Sequence, residues 1–157
     1  MNPVSLYQIH LLRQSRLYLL EQVSHLSTEE LNTIPHGFNN NILWNLGHLI
    51  AAQQGICYRR AGLPMSISGE FYSAFQPGSR PDHFMNATFA DKVRGLLVST
   101  IDLLEQDYKR SVFHQYAAWT TRYGATLATI DDALAFLPFH EGLHQGAIAA
   151  IKKLVSK

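Results

Sequence analysis

The sequence contains little of what disulfide-linked, membrane-spanning and nucleic-acid-binding proteins depend on. Its single cysteine, Cys57, excludes an internal disulfide and a cysteine-based zinc knuckle, and suits a reducing compartment. No apolar run approaches the roughly 18 residues of a membrane span, and a net charge of +1 provides no basic surface for nucleic acid. The first residues lack the charged and then apolar pattern of a signal peptide. We therefore expect a cytoplasmic protein without membrane or nucleic-acid partners.

Charged residues are also scarce, at 16%, whereas 46% of the residues are hydrophobic, as is typical of a compact globular chain. A length of 157 residues suits one domain, 1–157, built around a single core. No charge run, low-complexity tract, internal repeat or glycine-rich phosphate loop is present. These features indicate a compact globular protein of one domain, but they do not indicate its function.

Apolar residues recur at helical spacing in four long segments. They predict helices over about residues 3–25, 42–60, 88–109 and 129–154. The segment 62–87 lacks this spacing and is rich in glycine, proline and aromatic residues, which predicts a long loop. The segment 113–128 predicts a small hairpin or further loop. Four long helices with such connections indicate an all-α fold, an antiparallel four-helix bundle.

Capping patterns mark the expected helix starts. Three of them pair a hydroxyl with an acidic residue three positions later, namely Ser27 with Glu30, Thr88 with Asp91, and Thr129 with Asp132. One of the asparagines at 39–41 is expected to cap the second long helix. In the first helix, Arg13 and Arg16 interrupt the apolar stripe. The middle of this stripe therefore either faces solvent or lines a polar region.

Two histidines in the fourth predicted helix, His140 and His144, are spaced for metal binding. Residues four apart share a helix face and lie about 6 Å apart along the axis, so both imidazoles can reach one ion. His48, in the second long helix, is the candidate third ligand. Neutral imidazoles suit zinc, nickel, copper or iron. The simpler alternative is that these histidines only pack or face solvent.

The string from His140 to His144 also matches H-E-x-x-H, the zinc-protease signature in which the glutamate is the general base. Such proteases usually take their third ligand further along the chain, but the 13 residues after His144 contain no His, Asp or Glu. Gly142 is also a poor helix residue. The protease interpretation is therefore disfavoured, and Glu141 is expected to point away from the metal face.

Two stretches together suggest a family. Asn41–Ile50, followed much later by His140–Gly146, resembles the DinB-like (YfiT-type) metal-binding superfamily. Leu26–Leu31 is similar to that family's usual exit from its first helix, so the resemblance covers nearly the whole chain. It implies an up-down-down-up four-helix bundle, often a homodimer, with a divalent metal held by three histidines. The ligand positions of the family fall on His48, His140 and His144.

Characterised relatives include S-transferases and isomerases that depend on bacillithiol, mycothiol or glutathione. The resemblance implies that a divalent metal, zinc or nickel, activates a small-molecule thiol for attack on an electrophile. We expect Trp44, Phe75 and the exposed-loop residue His36 to be candidates for the pocket wall. One departure is Ala147, which stands where many relatives have a glutamine. The alternative is a non-catalytic module with a structural or vestigial metal site, acting through its dimer surface or by ligand binding.

Overall fold

The computed structural model describes residues 1–156, and helices dominate it. The helices are α1 (Pro3–Val23), α2 (Thr28–Asn32), α3 (Ile42–Gln53), α4 (Gly69–Phe75), α5 (Ala87–Lys109) and α6 (Ile130–Val155). α3 continues as a π-helical segment, Gln54–Arg59. Two short antiparallel strands, β1 (Trp119–Thr120) and β2 (Thr126–Leu127), form the hairpin predicted within 113–128. The all-α prediction is confirmed. Within residues 1–156, no helix has both the length and the apolar character needed to cross a bilayer.

Most helix starts follow the predicted capping chemistry. The capping boxes at Ser27 and Thr129 are both present, and the Asn41 side chain caps α3 by accepting a hydrogen bond from the Trp44 amide. The prediction that Thr88 opens the third long helix is wrong. Asn86 caps α5 instead, because its short side chain accepts from an amide three residues later at 3.0 Å.

The segment 62–87 is not wholly irregular, which corrects the prediction of one long loop. It contains α4, capped by Ser68, and two of the α4 aromatic side chains, Phe71 and Phe75, are buried. A helix of only seven residues is marginal by itself and derives its stability from tertiary packing. Helical periodicity cannot be recognised over so short a stretch, and this explains why the sequence pattern did not reveal it.

Among the four long helices, α1 and α3 each contact both α5 and α6. Hydrogen bonds between helices define their directions. Ser5 bonds Asp131 and Gln22 bonds Lys152, so α1 and α6 run parallel. Asn2 bonds Tyr108, whereas the later residue Arg13 bonds the earlier Asp102, so α1 and α5 run antiparallel. In the same way, Asn45 bonds His144 while His48 lies beside His140, so α3 and α6 run antiparallel.

The buried Arg16 side chain on α1 reaches the other three long helices. It donates to the Leu97 carbonyl at 3.0 Å and the Thr100 hydroxyl at 3.1 Å on α5. It also donates to the Leu49 carbonyl on α3 at 3.0 Å. On α6 it pairs with the Glu141 carboxylate at 2.7 Å, and both side chains are almost completely buried. Of the two arginines that interrupt the apolar stripe of α1, Arg16 therefore lines the interior, whereas Arg13 is partly exposed and pairs with Asp102 and Glu105.

Replacing Glu141 by Gln should lower the free energy of unfolding by about 3–5 kcal/mol, because it leaves the buried Arg16 charge without a counter-charge. The matched control is Asp102→Asn, which weakens the partly exposed pair with Arg13 and should cost less than about 1 kcal/mol. Urea denaturation of both variants measures the difference. If both variants lose the same small free energy of unfolding, the buried pair is not important for stability.

Candidate metal centre

Three histidine side chains converge where α3 and α6 meet. One ring nitrogen from each of His48, His140 and His144 lies within 4.8 Å of the other two. The ring centroids are 5.3 Å apart for His48 and His140, 4.6 Å for His48 and His144, and 4.7 Å for His140 and His144. Among the described residues, no further His, Cys, Asp or Glu joins this group. The arrangement is compatible with a metal site.

Hydrogen bonds orient two of the three rings. Nδ1 of His48 donates to the Phe75 main-chain carbonyl at 2.7 Å, and Nδ1 of His144 donates to Oδ1 of Asn45 at 2.8 Å. A carbonyl oxygen can only accept, so each Nδ1 carries the proton and each Nε2 keeps a free lone pair. The Asn45 amide is itself fixed, because its nitrogen donates to the Asn41 carbonyl at 2.8 Å. Metal-binding histidines characteristically have such oxygen partners.

The third ring, His140, lacks such a partner. Its Nδ1 is buried and has no hydrogen bond within residues 1–156. A buried polar nitrogen without a partner costs free energy, and coordination of a cation by this imidazole can offset that cost. The donor set, three imidazoles close together with one unpaired buried nitrogen, fits a divalent first-row metal.

The three imidazoles are neutral at physiological pH. Burial lowers the pKa of His48. Burial and the neighbouring histidines lower the pKa of His140 to about 3, and burial together with His48 lowers that of His144 to about 4. The nearby Arg122 guanidinium lowers all three pKa values further. Because metals bind the neutral imidazole, these side chains need not release protons before they bind one.

An open cavity of about 1110 Å³ lies in front of the histidines, and all three contribute to its lining. Trp44, one of the three candidate wall residues, also lines it and stacks on the His48 ring with the centroids 4.7 Å apart. The two other predicted wall residues lie elsewhere. His36 is exposed outside the cavity, and the Phe75 ring is buried, so that only its carbonyl supports the site.

The glutamate of the H-E-x-x-H string does not take part in this cavity. Glu141 is absent from the lining and its carboxylate pairs with Arg16 in the interior. Burial raises the pKa of Glu141, and the adjacent guanidinium opposes that increase. Its orientation away from the metal face agrees with the prediction and removes the general base that a zinc protease requires.

A model of the DinB superfamily matches residues 11–148, a region that contains all three histidines. The chain belongs to the DinB superfamily. No curated protein matches the sequence. The family-model match over residues 11–148 confirms the resemblance that the two histidine-containing stretches indicated.

In this DinB-superfamily chain, two glycines allow α4 to lie against α3 and its π-helical extension. A Cβ atom added at Gly47 would lie 2.5 Å from the Phe75 ring, and one at Gly55 would lie 2.9 Å from the Tyr72 hydroxyl. Both distances are shorter than van der Waals contact permits. The close approach at Gly47 brings the Phe75 carbonyl within hydrogen-bonding distance of His48.

Several parts of the site were not identified from the sequence. Asn45 lies three residues before His48 and therefore on the same side of α3, a spacing that could have indicated a supporting role. The contact between Gly47 and Phe75 joins two distant segments, and no local pattern reveals it. The one cysteine, Cys57, is fully buried and burial raises its pKa to about 12, as is typical of an unreactive thiol.

Replacing Gly47 by Ala should displace Phe75, lowering stability by about 1–3 kcal/mol and weakening zinc binding by about 10- to 100-fold. The control is Gly95→Ala on α5, where an added Cβ meets nothing within 4 Å and better helix propensity should raise stability by up to about 1 kcal/mol. Urea denaturation and competition with a chromophoric zinc chelator measure both effects. Unchanged zinc affinity in G47A would show that the Phe75 carbonyl is dispensable.

Proposed function

We propose that this DinB-superfamily chain is a metal-dependent enzyme. His48, His140 and His144 would hold a divalent ion, zinc or nickel, and the reaction would be the transfer of a small-molecule thiol to an electrophile, or an isomerisation that uses such a thiol as a cofactor. The observation that carries this proposal is the group of three neutral imidazoles facing a large cavity with no fourth ligand among the described residues. Structural zinc sites use four protein ligands, whereas catalytic sites use three and keep one position open.

The expected chemistry divides between the metal and the chain. A divalent ion held by neutral imidazoles supplies Lewis acidity, which lowers the pKa of a thiol or water molecule beside it. The Phe75 carbonyl and Asn45 hold two of the imidazoles in the ligating orientation, and Trp44 covers one face of the His48 ring. A cavity of about 1110 Å³ exceeds the size of most sites for one small ligand, which supports binding of a thiol and its electrophile together.

We further propose that α1, α3, α5 and α6 constitute the up-down-down-up, antiparallel four-helix bundle that the family resemblance implies. The contacts of α1 and α3 with both α5 and α6 support this arrangement. The parallel direction of α1 and α6, and the opposite direction of α5 relative to α1, also support it. In such bundles, metal sites are built from side chains on facing helices.

Elemental analysis of protein purified without a histidine tag tests the metal site. We expect about one zinc or nickel ion per chain in the parent and almost none in the His48→Ala variant. The control is His83→Ala, which removes an exposed histidine that belongs neither to the group nor to the cavity lining and should leave the metal content unchanged.

Thiol binding tests the catalytic role separately. In cobalt-substituted protein, an added thiol that reaches the open position should produce a sulfur-to-cobalt charge-transfer band. A parent protein that takes up neither zinc nor nickel contradicts the metal site. A protein that holds metal but shows no response to any thiol favours the non-catalytic alternative, in which the metal is structural or vestigial.

We also propose a homodimer formed through the outer faces of α1 and α6. Exposed apolar side chains on α1 include Tyr7, Leu11 and Tyr18, whose spacing places them on one face. Two more, Phe139 and Leu143, are exposed on α6. A groove between the two helices is lined by residues of both, including Leu11 and Tyr18. Exposed apolar patches of this kind are typical of protein–protein interfaces.

The Leu11→Arg variant should be monomeric, because it places a charge in the proposed interface. Ile34→Arg is a matched control, since both side chains are 43% exposed and Ile34 lies outside α1 and α6. Light scattering after size-exclusion chromatography gives the mass of each variant. A parent that is monomeric at high micromolar concentration would contradict the dimer.

A further inference from the structure

Four arginines surround the cavity without carboxylates to balance them. Arg59, Arg60, Arg80 and Arg122 line it, and in the part of the chain that the structure describes no aspartate or glutamate contributes to the lining. None of the four forms an ion pair with a described residue. The whole chain carries a net charge of only +1, so this concentration of positive charge is a local property of the site.

Aromatic rings hold two of these arginines on separate walls of the cavity. The Arg59 guanidinium lies 5.4 Å from the centroid of Tyr72 on α4, and that of Arg60 lies 4.8 Å from Trp119 on β1. A guanidinium stacked on a ring keeps the N–H groups at its edge free to donate. Because the side chains are already ordered, binding a ligand costs them less conformational entropy.

A purely structural explanation accounts for only part of this set. Arg59 ends the π-helical segment, and a positive charge there interacts favourably with the helix dipole. Arg80 and Arg122, however, lie outside the helices, one after α4 and the other in the turn between β1 and β2. Neither helix termini nor ion pairs within the chain explain why four arginines from three segments face the same cavity.

The charge at this site requires anions. Three neutral imidazoles would leave a divalent ion with both of its charges, which add to those of the four arginines. In a partly enclosed cavity, positive charges of this number repel one another and attract anionic ligands. Guanidinium groups pair in a planar, bidentate manner with carboxylates and phosphates in particular.

We infer that the substrate of this site is an anionic thiol, whose carboxylate or phosphate groups bind the arginines while its sulfur faces the three histidines. The position of Arg59 and Arg60 on separate walls favours a molecule with at least two anionic groups. The identity of the reacting group rests on the function proposed above. The arginine contacts, in contrast, require only the anionic groups.

Tryptophan fluorescence provides the readout, because both tryptophans of the chain, Trp44 and Trp119, line the cavity. The probes are mercaptosuccinate, succinate, inorganic phosphate and the neutral thiol 1-thioglycerol. Zinc-loaded protein is titrated with each, and metal-free protein is titrated in parallel because chelation of zinc cannot contribute there. We expect both dicarboxylates to bind at least about tenfold more tightly than thioglycerol, and added salt to weaken their binding. Phosphate that binds in place of succinate also supports the inference and identifies the anionic group as phosphate.

Replacing Arg59 or Arg122 by Gln should each weaken dicarboxylate binding on the order of tenfold. Arg110→Gln is the control, because it removes an exposed arginine that is not in the lining and has no ion pair with a described residue. Thermal unfolding verifies that the variants remain folded. These side chains are exposed, so we expect no loss of the fold.

The outcomes separate this inference from the proposed function. Succinate binding that depends on the arginines, in a protein that never responds to thiols, supports the anion site and overturns the thiol chemistry. Equal affinity for mercaptosuccinate and thioglycerol, in a protein that also does not bind phosphate, overturns the anion site. The anion site is also overturned if the Arg59→Gln and Arg122→Gln variants bind dicarboxylates as tightly as the parent. It is overturned as well if the parent binds neither succinate nor phosphate.

Discussion

The buried ion pair between Arg16 and Glu141 sets the geometry on which the rest of this molecule depends. Two charges placed in an apolar interior lose their hydration, and only excellent geometry and further hydrogen bonds offset that cost. Here the carbonyls of Leu97 and Leu49 provide those bonds from two other helices. Because Glu141 follows His140 directly, rotating α6 to release the carboxylate would also carry the histidines away from α3. The stability of the interior and the alignment of the site are thus coupled.

Hydrogen bonds to individual imidazole rings also fix the geometry of the site. One main-chain carbonyl, from Phe75, and one side-chain amide, from Asn45, fix the protonated nitrogen of two imidazoles. These acceptors come from different parts of the chain, one from α4 and the other from α3 itself. A substitution in a short helix that supplies none of the three histidines can therefore alter the candidate metal site. The rings are already oriented by the chain itself, which would reduce the cost of binding a metal ion.

The long helices and the pair His140 and His144 could be predicted because their signals are local and periodic, whereas the family resemblance placed His48 beside that pair. When the π-helical segment is counted with α3, the observed helix ends agree with the predictions to within about two residues. Other features that depend on distant contacts could not be predicted. Helix α4 is too short to show periodicity, and Arg16 appeared only as an interruption of a stripe until its three partner helices were in place. Arg80 and Arg122 come from segments without regular spacing, so their convergence with Arg59 and Arg60 emerges only in three dimensions.

The burial of Cys57 has a consequence for the thiol chemistry proposed for this chain. Its sulfur is enclosed in the interior and its pKa is raised to about 12, so almost none of it is present as the nucleophilic thiolate. Under the proposed thiol chemistry, this sulfur would not compete with a small thiol for the electrophile and would not form mixed disulfides with it. Oxidants that consume small thiols would leave the polypeptide unmodified at its one cysteine.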